Sequence, residues 1–214
     1  MKNTRYTLLL VPAIFTILSL VRPDIFLFRA AVSVSCAVIL WFMSGYSSVS
    51  WVIAALLVSI GGDWFMSHIG SVSIRFIYGV CLFFIAHLGF LFFCLKNGRI
   101  NLYVLLPVLA GYLVFFFVAL LPALSTPILF VSILAYVLVS CFSLALAAGL
   151  RLPSATRWVF TLGIALLMFS DTLIALRSFV GYRDLGFLIL PTYFASHIVI
   201  TLALMLNRQT CPNP

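Results

Sequence analysis

Two aspartates inside apolar segments are the first residues of this chain that could do chemistry. Asp63 lies in "SIGGDWFMSH" and Asp171 in "LLMFSDTLIAL", although the sequence contains only four acidic residues. A charged side chain at the centre of a membrane helix costs about 2.5–3.5 kcal/mol, so two such positions need a physical reason. Two carboxyl groups in a shared polar cavity, one of them kept protonated by desolvation, would form a general acid–base device.

Polar partners follow each aspartate in the next apolar segment. His87 lies in "LFFIAHLGFLFF" and His197 in "PTYFASHIVITL". Tyr193 and His197 are four residues apart, so a helix places both on one face. We expect these side chains to orient a substrate, a water molecule or an aspartate. The simpler alternative for each histidine is a neutral imidazole that hydrogen-bonds a neighbouring helix.

The same polar residues could instead have structural or metal-binding roles. Each aspartate could cap a helix end or pair with an arginine such as Arg75 or Arg177. Three histidines and two aspartates could bind a metal, but the sequence has no H-x-x-x-H spacing and its five cysteines show no C-x-x-C spacing. We therefore predict neither a metal nor another cofactor. A serine hydrolase is disfavoured because no G-x-S-x-G elbow is present.

The apolar composition determines which elements position these residues. Of the 214 residues, 65% are hydrophobic and 7% are charged, and the mean hydropathy is +1.29. Long apolar runs predict membrane helices, which satisfy their own backbone hydrogen bonds in lipid. We predict an all-α polytopic membrane bundle that forms one integral membrane domain over residues 1–214. Its eight spans are expected at about 6–21, 25–43, 49–66, 74–95, 102–121, 127–149, 157–177 and 184–206.

The basic residues bear on the topology. The net charge of +8 comes from single Lys and Arg residues in short connections, which is typical of membrane orientation and not of nucleic-acid binding. The N-terminal segment has the basic start and apolar stretch of a secretory signal. It has no clear cleavage site before Arg22, so we expect a retained first span. Eight spans place both termini on one side, where seven basic residues against five predict the cytoplasm.

The spacing of the polar residues also predicts an internal repeat. Asp171 follows Asp63 by about half the chain, and a histidine lies in the span after each aspartate. Four spans per half preserve orientation, so spans one to four and five to eight would form a parallel repeat. Both aspartates would then lie at a similar depth.

The order of these motifs resembles the YhhN family of membrane proteins, which includes lysoplasmalogenases. "GGDWFMS", "FFIAHLGFLF", "MFSDTLIALRSF" and "YFASHIVI" follow the family's order over nearly the full length. The positions that match the family's pattern are Asp63, His87, Asp171, Tyr193 and His197. The second span departs from the family's Lys-Pro, because this chain has "FRAAVS" with Arg29 in place of the lysine.

The resemblance implies a hydrolase that cleaves the vinyl ether of lysoplasmalogens. The products are a fatty aldehyde and glycerophospho-ethanolamine or -choline. Protonation of a vinyl ether at carbon gives an oxocarbenium ion that water captures, and glycosidases meet a similar cation with two carboxyl groups. We expect Asp63 and Asp171 to divide the acid and stabilising roles.

The resemblance also implies the remaining site residues and partners. His87, His197 and Tyr193 would position water or the headgroup, as catalytic residues. The phosphate would lie near the substrate-binding residues Arg29, Arg75 and Arg177. The expected partners are a lysophospholipid and the lipid bilayer, with no nucleic acid.

Two alternative functions remain. The chain could hydrolyse another lysolipid or ether lipid in the same scaffold. It could also be a small-solute or proton-coupled transporter, since intramembrane Asp and His residues and a parallel repeat suit one. Two features count against transport, because no pair of spans is broken by Gly or Pro and the polar residues lie near one membrane face.

Overall fold

The described part of the chain folds into a bundle of eight α-helices. The structure, a computed structural model, describes residues 3–43, 47–68, 74–124 and 126–210, and these ranges contain no β-strand. The predicted all-α membrane bundle is confirmed. The helices are α1 (Leu10–Val21), α2 (Phe26–Met43), α3 (Ser50–Ser67), α4 (Ile74–Asn97), α5 (Leu102–Phe115), α6 (Pro127–Ala148), α7 (Ser154–Ala175) and α8 (Ile189–Thr210).

The helices α2 to α8, with their short extensions, supply seven segments that are long and apolar enough to cross a membrane. The predicted first span is also helical, but its apolar segment Tyr6–Val21 is shorter than the other seven. The predicted eighth span begins later than expected, since a 3₁₀ turn at Gly186–Leu188 precedes α8. Parts of the predicted connections at 44–48 and 67–73 lie outside the described residues. The location of the termini stays a prediction.

Local sequence signals account for where several helices begin and end. The Thr126 side chain accepts a hydrogen bond from the backbone N–H of Leu129, and Pro127 occupies the first helical position of α6. Wide π turns extend α5 over Phe116–Leu120 and α7 over Leu176–Val180. Such turns occur preferentially at functional sites. Gly181 follows the second π turn with a φ of 79°, a conformation that favours glycine.

Helix packing agrees with the predicted repeat of four plus four helices. The two most extensive contacts join α3 to α4 and α7 to α8. Adding four to each helix number converts the contact α1–α2 into α5–α6 and the contact α2–α3 into α6–α7. If numbering continues from α8 to α1, the contact α4–α6 becomes α8–α2. All six helix pairs are in contact. Helices α1 to α4 and α5 to α8 are therefore called the first and second halves.

The connections α4–α5 and α6–α7 meet at one end of the bundle. The backbone N–H of Arg99 donates to the carbonyl of Gly149 at 3.0 Å, and that of Arg151 donates to Asn97 at 2.9 Å. These bonds satisfy backbone groups beyond the helix ends. At the opposite end, Phe76 near the start of α4 packs against Phe179 near the end of α7, with ring centroids 5.6 Å apart. We call this opposite end the site end, because Asp63 and Asp171 lie close to it.

The close approach at Gly149 predicts a stability effect. A Cβ added at Gly149 would lie directly against the carbonyl oxygen of Arg99. We expect Gly149→Ala to lower the thermal unfolding temperature in detergent, since overpacking costs about 1–3 kcal/mol. Gly111→Ala is the control, because its new Cβ meets nothing within 4 Å. Equal unfolding temperatures for the two variants would contradict the tight contact.

Candidate active site

The centre of the site is a hydrogen bond between His87 on α4 and Asp171 on α7. The distance from His87 Nε2 to Asp171 Oδ2 is 2.8 Å, and the side chains are 2% and 14% exposed. Nδ1 of His87 is buried without a hydrogen-bond partner among the described residues. The tautomer with hydrogen on Nε2 therefore donates to the carboxylate and leaves no buried N–H unpaired. The Asp171 carboxylate also lies close to the Tyr136 hydroxyl of α6.

Asp63 on α3 has a different partner. The hydroxyl of Tyr193 on α8 donates to Asp63 Oδ2 at 3.1 Å. Both residues are buried, with 5% and 3% of their surfaces exposed. The Tyr193 ring packs edge-on against Phe83 of α4, with centroids 5.8 Å apart. Asp63 is therefore enclosed by protein, whereas Asp171 retains a partly exposed carboxylate.

Both hydrogen bonds cross between the two halves of the bundle. Asp63 of the first half binds Tyr193 of the second, and Asp171 of the second half binds His87 of the first. The hydroxyl and imidazole therefore reach the carboxyl groups only when the two halves pack together, which they do through the contacts α4–α6 and α2–α8. The site depends on association of both halves.

His197 does not contact either aspartate through a hydrogen bond in the described structure. Its Nδ1 lies 3.1 Å from the Ser33 hydroxyl of α2, and its ring packs 4.5 Å from the Tyr193 ring. The side chain is fully buried. This geometry fits the simpler expectation for this residue, a neutral imidazole bonded to another helix. His197 therefore contacts the site through the ring of Tyr193.

Two cavities meet at Asp171. The first, which we call the outer cavity, has a volume of about 60 Å³ and lies between α3, α4, α6 and α7. The second, the inner cavity, has a volume of about 50 Å³ and lies between α5, α6 and α7. Asp171 and Tyr136 contribute the carboxyl and hydroxyl groups common to both linings, and most other lining residues are apolar. The residues shared by the two cavities are Ile133, Tyr136, Asp171 and Ala175.

The three predicted phosphate-binding arginines lie around the site end. Arg29 is already engaged, since its guanidinium donates to Ser67 Oγ at 2.7 Å and to the carbonyl of Pro23 at 2.8 Å. It also lies close enough to Asp63 to act on it electrostatically. Arg75 and Arg177 are exposed.

Pairing of the aspartates with Arg75 or Arg177, which the sequence left open, is not found among the described residues. Arg75 donates instead to the carbonyl of His68 at 3.4 Å. No salt bridge of Arg177 occurs in the described ranges. The same part of the chain contains no group of three or more His, Cys, Asp or Glu side chains able to hold a metal.

The serines beside the polar residues bond to backbone carbonyls. Ser67 donates to Asp63, Ser170 to Ile189 and Ser196 to Tyr193. Hydroxyls in membrane helices commonly form such bonds. Among the described residues, each of these three hydroxyls therefore donates to a backbone carbonyl and not to a side-chain base.

Sequence reasoning missed α6 as a contributor to the site. Tyr136, Ser140 and Ser143 occupy positions i, i+4 and i+7, so they share one helix face within an otherwise apolar span. This periodic stripe of hydroxyls was the available signal. The Tyr136 ring lies 4.9 Å from the His87 ring. The hydroxyls of Ser140 and Ser143 are buried without partners among the described residues.

The Asp63–Tyr193 bond predicts a measurable coupling. We expect Tyr193→Phe to lower the thermal unfolding temperature, because a buried carboxyl group that loses its donor costs about 1–3 kcal/mol. Tyr103→Phe is the control, since Tyr103 is 94% exposed. In an Asp63→Ala background the effect of Tyr193→Phe should shrink, because the acceptor is absent. An undiminished effect in that background would show that the hydroxyl stabilises something else.

Comparison with known proteins agrees with the motif order. The sequence pattern of the YhhN family matches residues 25–204, which begins after α1 and includes all the residues discussed above from Arg29 to His197. No curated protein and no solved structure gave a significant match. The match covers most of the chain, and the protein belongs to the YhhN family.

Proposed function

We propose that this protein hydrolyses the vinyl ether bond of a lysoplasmalogen, with Asp171 acting directly on the reacting bond. The position of Asp171 carries the proposal, since its carboxylate is bonded to buried His87 and lines both apolar cavities. A carboxyl group that faces lipid-compatible space suits acid chemistry on an uncharged ether. Membership in the YhhN family supports the same kind of reaction.

The surroundings of Asp171 fit an amphipathic substrate. The site end presents the exposed cations Arg75 and Arg177, which could pair with a phosphate group. Their neighbours Phe76 and Phe179 line the outer cavity. A lysolipid would therefore leave its charged headgroup at this end and bring its ether bond into the apolar interior. Binding of this kind avoids the cost of burying the phosphate.

The proposed reaction begins with Asp171 as a carboxylic acid, with its proton on Oδ1 while Oδ2 accepts a hydrogen bond from Nε2–H of His87. Asp171 transfers this proton to the vinyl carbon that does not carry oxygen, and the double-bond electrons form the new C–H bond. The adjacent carbon becomes an oxocarbenium centre, which the Asp171 carboxylate stabilises electrostatically. Removal of water from around the pair strengthens this attraction.

Water completes the reaction. It adds to the oxocarbenium carbon, and the proton that it loses returns to the Asp171 carboxylate. The resulting hemiacetal then releases the glycerol oxygen, which takes up the hydroxyl proton. The sum is the addition of one water molecule, which gives a fatty aldehyde and a glycerophospho-alcohol without oxidation or reduction.

Asp63 has an indirect part in this proposal. It lines neither cavity, but it accepts the Tyr193 hydrogen bond, and the Tyr193 ring packs against Phe83 of the outer cavity wall. The expected division of acid and stabilising roles between two aspartates thus becomes one catalytic aspartate and one positioning aspartate. His197 supports the same wall through its contact with Tyr193.

Replacement of the acid gives the first test of the proposed function. We expect Asp171→Asn to slow aldehyde release from lysoplasmenylethanolamine by about 10²–10⁴-fold, because an amide cannot supply the proton. Asp184→Asn, which changes an exposed acidic residue before α8, should retain the original rate. Aldehyde would be measured with purified protein, and the saturated ether analogue would serve as the unreactive substrate.

Two results would contradict this proposal. An unchanged rate in Asp171→Asn would exclude Asp171 as the acid. Absence of aldehyde with correctly folded unsubstituted protein would exclude the lysoplasmalogen reaction and favour another lysolipid hydrolase or a transporter.

The headgroup position gives a second test. We expect Arg177→Gln to raise KM for the phosphorylated substrate by about two- to fivefold, since exposed ion pairs contribute about 0.2–1 kcal/mol. Arg151→Gln, at the opposite end of the bundle, is the matched control. High salt should weaken the effect of Arg177→Gln by screening the charge. An equal rise of KM in both variants would argue against phosphate binding at the site end.

A further inference from the structure

The two cavities are arranged in sequence along α7. Phe179 lines only the outer cavity, Ala175 and Asp171 line both, and Met168 lines only the inner cavity. A helix rises about 1.5 Å per residue, so these positions run from the site end towards the middle of the bundle. Along α7 the inner cavity therefore reaches deeper, to Met168, whereas the outer cavity reaches further towards the site end, to Phe179.

The axial rise of α7 between Asp171 and Arg177 is similar to the length of a glycerophosphate unit. Six residues of helix separate them by about 9 Å along the axis. This separation compares with the reach of one phosphoester and one glycerol unit, which join the phosphate of a lysolipid to its ether-linked chain. A phosphate near Arg177 would thus bring the first carbons of the chain to Asp171. The remainder of the chain must continue beyond Asp171.

The inner cavity has the surface that an aliphatic chain requires. Two of its hydroxyl groups, those of Tyr112 and Thr172, bond to each other at 2.8 Å, whereas the Ser140 hydroxyl of the same lining is buried without a partner among the described residues. Phe115, Leu120 and Val137 contribute apolar walls. Helix α5, which forms one side, has only 17% of its apolar window buried inside the protein, the smallest share among the seven spanning segments. The cavity thus borders the lipid side of the bundle.

We propose that the inner cavity binds the aliphatic chain of a single-chain phospholipid whose headgroup lies at the site end. The chain passes from the outer to the inner cavity beside Ala175, whose small side chain lies at the junction. This assignment rests on the proposed function for the identity of the reacting bond. Binding of the chain itself can be measured with a lipid that cannot react.

Photo-crosslinking on the unsubstituted protein tests the assignment directly. The probe is a saturated-ether lysophosphatidylethanolamine with a diazirine at the end of its chain. We expect the probe to label inner-cavity residues such as Tyr112, Phe115 and Val137. Unmodified lysolipid should reduce this labelling by competition. Label on Phe76 or Phe179 would overturn the assignment by placing the chain end in the outer cavity. The assignment would also be overturned if the probe labelled only lipid-facing positions and unmodified lysolipid did not reduce that labelling.

A matched pair of substitutions measures the same site by affinity. Val137→Phe narrows the inner cavity and should weaken binding of long-chain lysolipids by about fourfold per excluded methylene, while short-chain binding is unchanged. Val80→Phe narrows the outer cavity and should weaken binding at every chain length. The reverse pattern would overturn the assignment.

These results separate the binding site from the reaction. Chain-end label in the inner cavity without aldehyde release would support the assignment and contradict the vinyl ether reaction. Aldehyde release with label in the outer cavity would support the reaction and contradict the assignment.

Discussion

The hydrogen bond between His87 and Asp171 is the interaction on which the site depends. It joins α4 of the first half to α7 of the second across 2.8 Å, in a region where water is largely excluded. An unpaired carboxylate in such surroundings is costly, so the hydrogen bond from the histidine stabilises the packing of α4 against α7. The helices that bring these two groups together therefore also form the candidate site.

The two halves share helix packing but differ at their carboxyl groups. Asp63 is enclosed with Tyr193, whereas Asp171 is open to both cavities. Their hydrogen-bonding partners differ accordingly, a phenol for Asp63 and an imidazole for Asp171. A phenol donates one strong hydrogen bond and holds its proton at neutral pH, while an imidazole exchanges a proton readily. This difference is the basis on which we propose a positioning role for Asp63 and proton transfer for Asp171.

The deviations from regular α-helix occur beside the cavities. The π turn at the end of α7 contributes Phe179 to the outer cavity, and the π turn of α5 contributes Leu120 to the inner one. A π turn widens the helix and redirects the side chains that follow it. Each cavity is therefore lined in part by an irregular turn near the site end.

The sequence by itself determined the helical membrane fold, the approximate spans and the polar residues Asp63, His87, Asp171 and Tyr193. Hydropathy and helical period act within one segment, so they are readable from the chain. Only the tertiary structure decided that Asp171 pairs with His87, that Asp63 is enclosed, and that Tyr136 joins the site. These relations depend on how each helix is rotated and packed against segments far away in the chain. A stretch of apolar residues leaves that rotation undetermined, because lipid and protein interior accept the same side chains.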